Sequence, residues 1–215
     1  MADNPEADQP TQLTLLATEQ EKLVNDARKS GRIAEIIAAA EHAADAIEYR
    51  VPNTQTEISG DEREALKSVK RFLYNAAADC WPGWSLDSAR GSDAELGAAL
   101  LLARRSASLV DRLGLGPMQE GTAKWLVGAF ELALGRIDNA LELFAQAEGL
   151  YERAGAPGLM LLARGYGAIT REASRRLPEQ GPGSLAEVLT ALASSNLEHG
   201  KFFSEQLVMA HRVFA

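Results

Sequence analysis

An all-α fold is what this sequence predicts, on three observations. Ala and Leu dominate the periodic segments and aromatic residues make up only 6%, a composition that suits helix packed on helix better than a sheet rich in β-branched side chains. Apolar residues recur at three- and four-residue steps along most of the chain. Small residues and one aromatic stand at the intervals that two close antiparallel helices require: Gly128, Gly135, Ala140, Phe144 and Ala147 are 7, 5, 4 and 3 residues apart in succession. At 215 residues, 46% hydrophobic and 24% charged, the chain can bury a core without splitting into separate units, so residues 11–215 are expected to form a single helical domain.

Residues 1–10 carry Asp3, Glu6 and Asp8 with neither a basic start nor an apolar stretch, which predicts a disordered leader and argues against a signal or transit peptide. A first helix follows over about residues 11–30, with Leu13, Leu16, Leu23, Val24 and Ala27 on one face, and Gly31 stops it. A second runs from Ile33 through Ile36, Ile37, Ala40, Ala43, Ala44 and Ile47 to Tyr49, where Val51 and Pro52 end it. These two make a first hairpin. The second hairpin starts at Ser59-Gly60-Asp61, with Glu62 and Glu64 in the first turn where the helix dipole favours acids. Its first helix reaches about Cys80; Trp81-Pro82-Gly83-Trp84 then breaks the pattern, and Ser92 or Asp93 caps the next helix, which ends before Gly114.

The third hairpin spans about residues 119–153, with Pro117 before it and Ala154-Gly155-Ala156-Pro157 after it. In it, Gly128 and Ala140 let two backbones approach, Gly135 ends the first helix in a left-handed turn, and Phe144 fills the gap between them. A fourth hairpin pairs residues 159–176 with 185–195 through Pro178, Gly181, Pro182 and Gly183, and residues 196–214 either extend its last helix or form a separate one. Gly31-Arg32-Ile33 matches Gly135-Arg136-Ile137, and Ala43 matches Ala147 in the same register. The offset of 104 is near three units of about 34 residues.

Over residues 124–147 the chain resembles the tetratricopeptide (TPR) repeat, departing from it at Trp125, one place late for the family's large aromatic, and at Glu131, where a Tyr is common. The resemblance implies a TPR-like solenoid of about four antiparallel hairpins plus a C-terminal helix, stacked right-handedly, with an inner groove lined by the first helix of each. It also implies that Trp125, Ala129 and Leu132 face inward and that the groove binds peptides or protein partners. Trp125 is then a binding anchor or a core tryptophan between hairpins.

Two further groups are candidates for recognition. Trp81 and Trp84 bracket a turn, which either presents them to a partner or folds back to plug a gap between helices. Basic residues fall in helical groups at Lys67, Lys70 and Arg71, at Arg104 and Arg105, and at Arg171, Arg175 and Arg176. If these faces meet they attract an acidic peptide or a phosphate group; otherwise they pair within the chain.

Other chemistry finds little support. The net charge is −8, with 11 acids against 5 bases in residues 1–60 and 19 against 17 beyond them, so the chain repels phosphate backbones and nucleic acid is not expected as a partner. No window approaches the roughly 18 apolar residues of a membrane span. The single cysteine, Cys80, forms no internal disulfide and reads as a buried inert thiol. His199 and His211 stand 12 apart and His42 is remote, so no metal pair forms and no cofactor is expected. Gly165-Tyr166-Gly167 lacks the strand of a phosphate loop and marks close helix contact instead. The expectation is a cytoplasmic, non-catalytic adaptor docking an acidic peptide or helical segment. Its alternatives are a small-molecule sensor or enzyme with a pocket near Trp81, Trp84 and Trp125, and a protein that associates with its own copies.

Overall fold

The computed structural model describes residues 11–51, 58–84, 86, 91–174, 183–194 and 197–214. Within these the chain is all-helical and contains no strand: α1 (Gln12–Lys29), α2 (Ile33–Glu48), α3 (Gly60–Asp79), α4 (Asp93–Leu113), α5 (Pro117–Ala133), α6 (Ile137–Arg153), α7 (Pro157–Ala173), α8 (Leu185–Ser194) and α9 (Gly200–Phe214), with a single 3-10 turn at Pro82–Trp84 after α3. No helix among the described residues is long and apolar enough to cross a membrane. The expected leader at residues 1–10, together with Pro52, Arg175, Arg176, Pro178, Gly181 and Pro182, lies outside the described residues.

Local chemistry sets most of the helix ends. Ser59 accepts from the Glu62 N–H while the Glu62 carboxylate accepts from the Ser59 N–H, and Ser92 and Glu95 repeat this reciprocal cap on α4. Gly31, Gly135 and Gly155 adopt φ of +67°, +71° and +67°, turning α1 into α2, α5 into α6 and α6 into α7. After Gly31 and Gly135 the next residue is an arginine at nearly the same φ, −90° for Arg32 and −88° for Arg136, followed by an isoleucine that begins the helix. Two starts fall earlier than the pattern suggests: Pro117 and Pro157 belong to the first turns of α5 and α7, because a proline there loses no hydrogen bond and its fixed φ suits the helix. Residues 197–199 separate α8 from α9, with His199 at φ +63°, so the last segment is a helix of its own.

Each helix packs on the next, and α3, α5, α7 and α9 also touch the odd-numbered helix before them. The direction of these second contacts follows from the residues involved. Arg71 on α3 pairs with Glu21 on α1, and Asp79 with Arg28. Lys70 bonds Gln119 of α5, and Trp81 just after α3 bonds the Ala129 carbonyl. On α7, Tyr166 meets Gln206 of α9, and Glu172 meets His211. Sequence numbers rise together in each of these pairs, and α6 runs against both α5 (Gly121 at Tyr151, Gly128 at Phe144) and α7 (Glu148 at Arg164, Phe144 at Tyr166), so α1, α3, α5, α7 and α9 run parallel. Arg105 of α4 reaches Asp45 and Glu48 of α2, joining members of the second layer.

The centre of this body is α5, in which Gly121, Ala123 and every residue from Trp125 to Ala133 are buried. A helix apolar on all sides must be enclosed by others, and each large apolar side chain so buried contributes about 1.5–3 kcal/mol. The expected close approach is present between α5 and α6: a Cβ built on Gly128 would lie 3.1 Å from Phe144 and 3.2 Å from Leu143, with Ala140, Phe144 and Ala147 all buried. Gly165 plays the same part against α9, where its Cβ would stand 2.5 Å from Leu207.

Substitution of Gly128 by Val is therefore expected to destabilise the protein by about 1–3 kcal/mol through overpacking. By contrast Gly97, whose Cβ would meet nothing within 4 Å, tolerates Ala and gains up to about 1 kcal/mol from helix propensity. Urea unfolding midpoints of the two variants check both signs.

Candidate functional site

The turn after α3 folds back onto the odd-numbered layer, and Trp81 is its hub. The Trp81 ring lies 6.0 Å from that of Trp125 on α5, 5.6 Å from Tyr166 on α7 and 5.8 Å from Phe214 on α9. Its indole N–H donates to the Ala129 carbonyl at 3.1 Å. Gly83 makes the turn feasible, because a Cβ there would stand inside the Trp81 indole. Trp84 closes the cluster from outside: it is 40% exposed, stands edge-on to Trp81 at 5.0 Å, and donates to the Ala78 carbonyl at 2.6 Å. Edge-to-face pairs at these separations each add about 0.5–1.5 kcal/mol beyond the area they bury.

This arrangement corrects the reading of Trp125, Ala129 and Leu132 as the lining of an open groove. Trp125 is 5% exposed, and Ala129 and Leu132 are buried with it. Trp125 packs against Trp81, Trp84 and Tyr166, and the Ala129 carbonyl accepts from Trp81, so the chain itself covers this stretch of α5. Trp81 is interior for the same reason. Trp84 alone of the three tryptophans reaches solvent.

The basic groups do not merge into one patch. Arg71 makes a two-pronged contact with Glu21 at 2.9 and 2.7 Å, Arg105 is taken up by Asp45 and Glu48, and Lys67 pairs with Glu64. Arg104 reaches the buried carboxylate of Glu131 at 2.5 Å, which Arg136 shares at 3.3 Å. Arg171 donates to the Gly183 carbonyl at 2.9 Å. Lys70, like Arg171, has no carboxylate partner among the described residues, and it differs in sitting over an aromatic ring. Its ammonium donates to the Gln119 side-chain carbonyl at 2.6 Å and lies 5.4 Å above the Tyr74 ring. Desolvation, and secondarily the charge of Arg71, holds the Lys70 ammonium below its ordinary pKa.

Around Lys70 the layer is polar. Tyr151 donates to Thr122 at 3.2 Å, and Thr122 donates to the Met118 carbonyl at 2.9 Å. Burial raises the phenols of Tyr74, Tyr151 and Tyr166, that of Tyr151 to about 12, so all three stay protonated at neutral pH and serve as neutral hydrogen-bonding groups. Met118 is exposed beside Gln119. The result is a half-buried cation held between an amide and a phenol ring, where the C-terminal half of α3 meets the first turn of α5.

Elsewhere the chemistry is closed. An open depression of about 550 Å³ is lined by Asn25, Arg28, Lys29 and Asp79, but Arg28 is paired with Asp79 and Lys29 with Asp26. No group of three metal-ligating side chains exists among the described residues. Burial pushes the Cys80 thiol up to about 12, which removes the reactive thiolate at neutral pH. His211 sits 3.0 Å from Glu172 and ties α9 to α7. No protein-family model, curated protein or solved structure matches this chain.

Sequence reasoning named Lys70 but not its neighbours. Tyr74 was within reach, one turn further along the same helix face; Gln119 and Thr122 were not, because only the register of α3 against α5 brings them near. Arg136 was seen as part of a turn, and nothing local marked it as the second arginine on Glu131.

Replacing Trp81 by Ala is expected to cost about 3–5 kcal/mol, as for a large buried aromatic. Trp84→Ala, at the half-open edge, should cost less. Denaturant titration followed by far-UV circular dichroism measures the two, and an equal loss would contradict the assignment of Trp81 as the hub.

Proposed function

We infer that this chain is a non-catalytic interaction module, a TPR-like helical solenoid that docks a peptide or helical segment of an acidic protein partner on its odd-numbered layer. The observation that carries this reading is Lys70. In a chain with 30 acids against 22 bases, a half-buried lysine without a carboxylate is a desolvated charge whose natural complement has yet to arrive. Tyr74 and Gln119 meet it with an aromatic face and an amide, and Met118, exposed next to Gln119 in the chain, offers a flexible apolar contact that suits a peptide.

Support for the solenoid comes from the parallel odd-numbered helices, the Gly128–Phe144 approach of α5 and α6, and the glycine turns before α2, α6 and α7. A rigid layer of this kind lowers the ordering cost of association, since the partner alone has to be immobilised. Docking falls where Lys70 and Tyr74 of α3 meet the first turn of α5, because Trp125, further along α5, is covered by the Trp81 turn. Cytoplasmic location and the role of an adaptor belong to this reading.

A photo-crosslinking amino acid placed at Met118 tests it. Crosslinks to an acidic protein in extract of the native cells are expected at position 118, disappearing in Lys70→Glu, and none are expected from Leu15 on the outer face of α1. Crosslinks that persist unchanged in Lys70→Glu, or that form equally from position 15, would overturn the assignment of this surface.

A further inference from the structure

Glu131 stands near the C-terminal end of α5 with its side chain only 1% exposed. Burying a carboxylate is costly, and an apolar side chain of similar volume would commonly serve stability as well or better. What the carboxylate holds is therefore of interest. One oxygen accepts from Arg104 Nη2 at 2.5 Å and the other from Arg136 Nη1 at 3.3 Å. These arginines come from different elements, α4 and the turn between α5 and α6, yet their side chains remain 51% and 50% exposed.

Each guanidinium has five N–H donors, and the contact with Glu131 is the one hydrogen bond that each side chain makes among the described residues. Two cations share one anion, which leaves a local charge of +1 on a protein whose net charge is −8. The buried carboxylate holds both guanidinium groups while about half of each arginine side chain stays open to solvent. A single carboxylate ligand would satisfy one fork. A phosphate monoester dianion, with three acceptor oxygens and nearly two charges, can bridge both.

We propose that Arg104 and Arg136 form a binding site for a phosphate monoester dianion, with Glu131 as the positioning residue below them. Leu101, 58% exposed and one turn before Arg104 on α4, supplies an apolar flank for whatever carries the phosphate. Asp138, two residues beyond Arg136, has an interaction of its own. The site uses neither Lys70 nor its neighbours and stands independently of the proposed docking surface.

O-phosphoserine, serine and inorganic phosphate are the probes, titrated at low salt into the full chain and followed by ³¹P NMR and calorimetry. Phosphoserine is expected to bind and serine not to. Arg136→Gln, which leaves Arg104 on Glu131 and so preserves the fold, should weaken phosphoserine about ten-fold or more with an unchanged circular dichroism spectrum. Arg32→Gln, at the matching position of the first hairpin, should leave binding unchanged. Tighter binding of phosphoserine than of inorganic phosphate identifies a phosphorylated side chain or metabolite as the source, and equal binding identifies free phosphate. Absence of phosphoserine binding at millimolar concentration, undiminished binding in Arg136→Gln, or an equal loss in Arg32→Gln would each overturn the proposal.

Discussion

The seating of Trp81 against α5 is the constraint on which the rest of the structure depends. One indole touches rings from α5, α7 and α9 and hydrogen-bonds the backbone of α5, so it joins elements that lie far apart in the chain. Stacked hairpins otherwise communicate mainly through nearest neighbours. A bridge of this kind couples the turn after α3 directly to the end of α9. The same contact covers Trp125, which is 5% exposed, while Lys70 stays half-buried.

Charge distribution follows the same division. Ion pairs join α1 to α3, α2 to α4 and α4 to α5, and those that remain exposed contribute little individually to stability. Their importance is that they take up Arg28, Arg71, Arg104 and Arg105, cations that would otherwise add to an anion-binding face. Two arrangements stand out: Lys70, which lies over the Tyr74 ring without a carboxylate partner among the described residues, and Arg104 with Arg136 over a single carboxylate. In an acidic protein these departures from pairing carry more information about partners than the net charge does.

Local features were legible in the sequence and long-range ones were not. The caps at Ser59 and Ser92, the turns at Gly31 and Gly135, and the nesting of Phe144 against Gly128 involve residues close in the chain, and their spacing encodes them. Pro117 and Pro157 were set just outside their helices because proline is read as a breaker, whereas at a first turn it is a starter. The fate of Trp125 depends on where Trp81 and Tyr166 come to rest, and no spacing rule carries that. For the same reason Lys70 and Arg104 were visible as basic residues on helices while their surroundings were invisible, since Gln119 and Glu131 reach them only through the packing of one hairpin on the next.

Hydrogen exchange at the three indole N–H groups, resolved by NMR, addresses the bridging role of Trp81 most directly. If Trp81 locks the layer, its indole proton exchanges as slowly as the slowest backbone amides of α5, since both are released only by global unfolding. Trp84, partly exposed, exchanges faster. A Trp81 indole proton that exchanges well ahead of the α5 amides would mean that the turn opens on its own, and the helices would then owe their arrangement to something other than this contact.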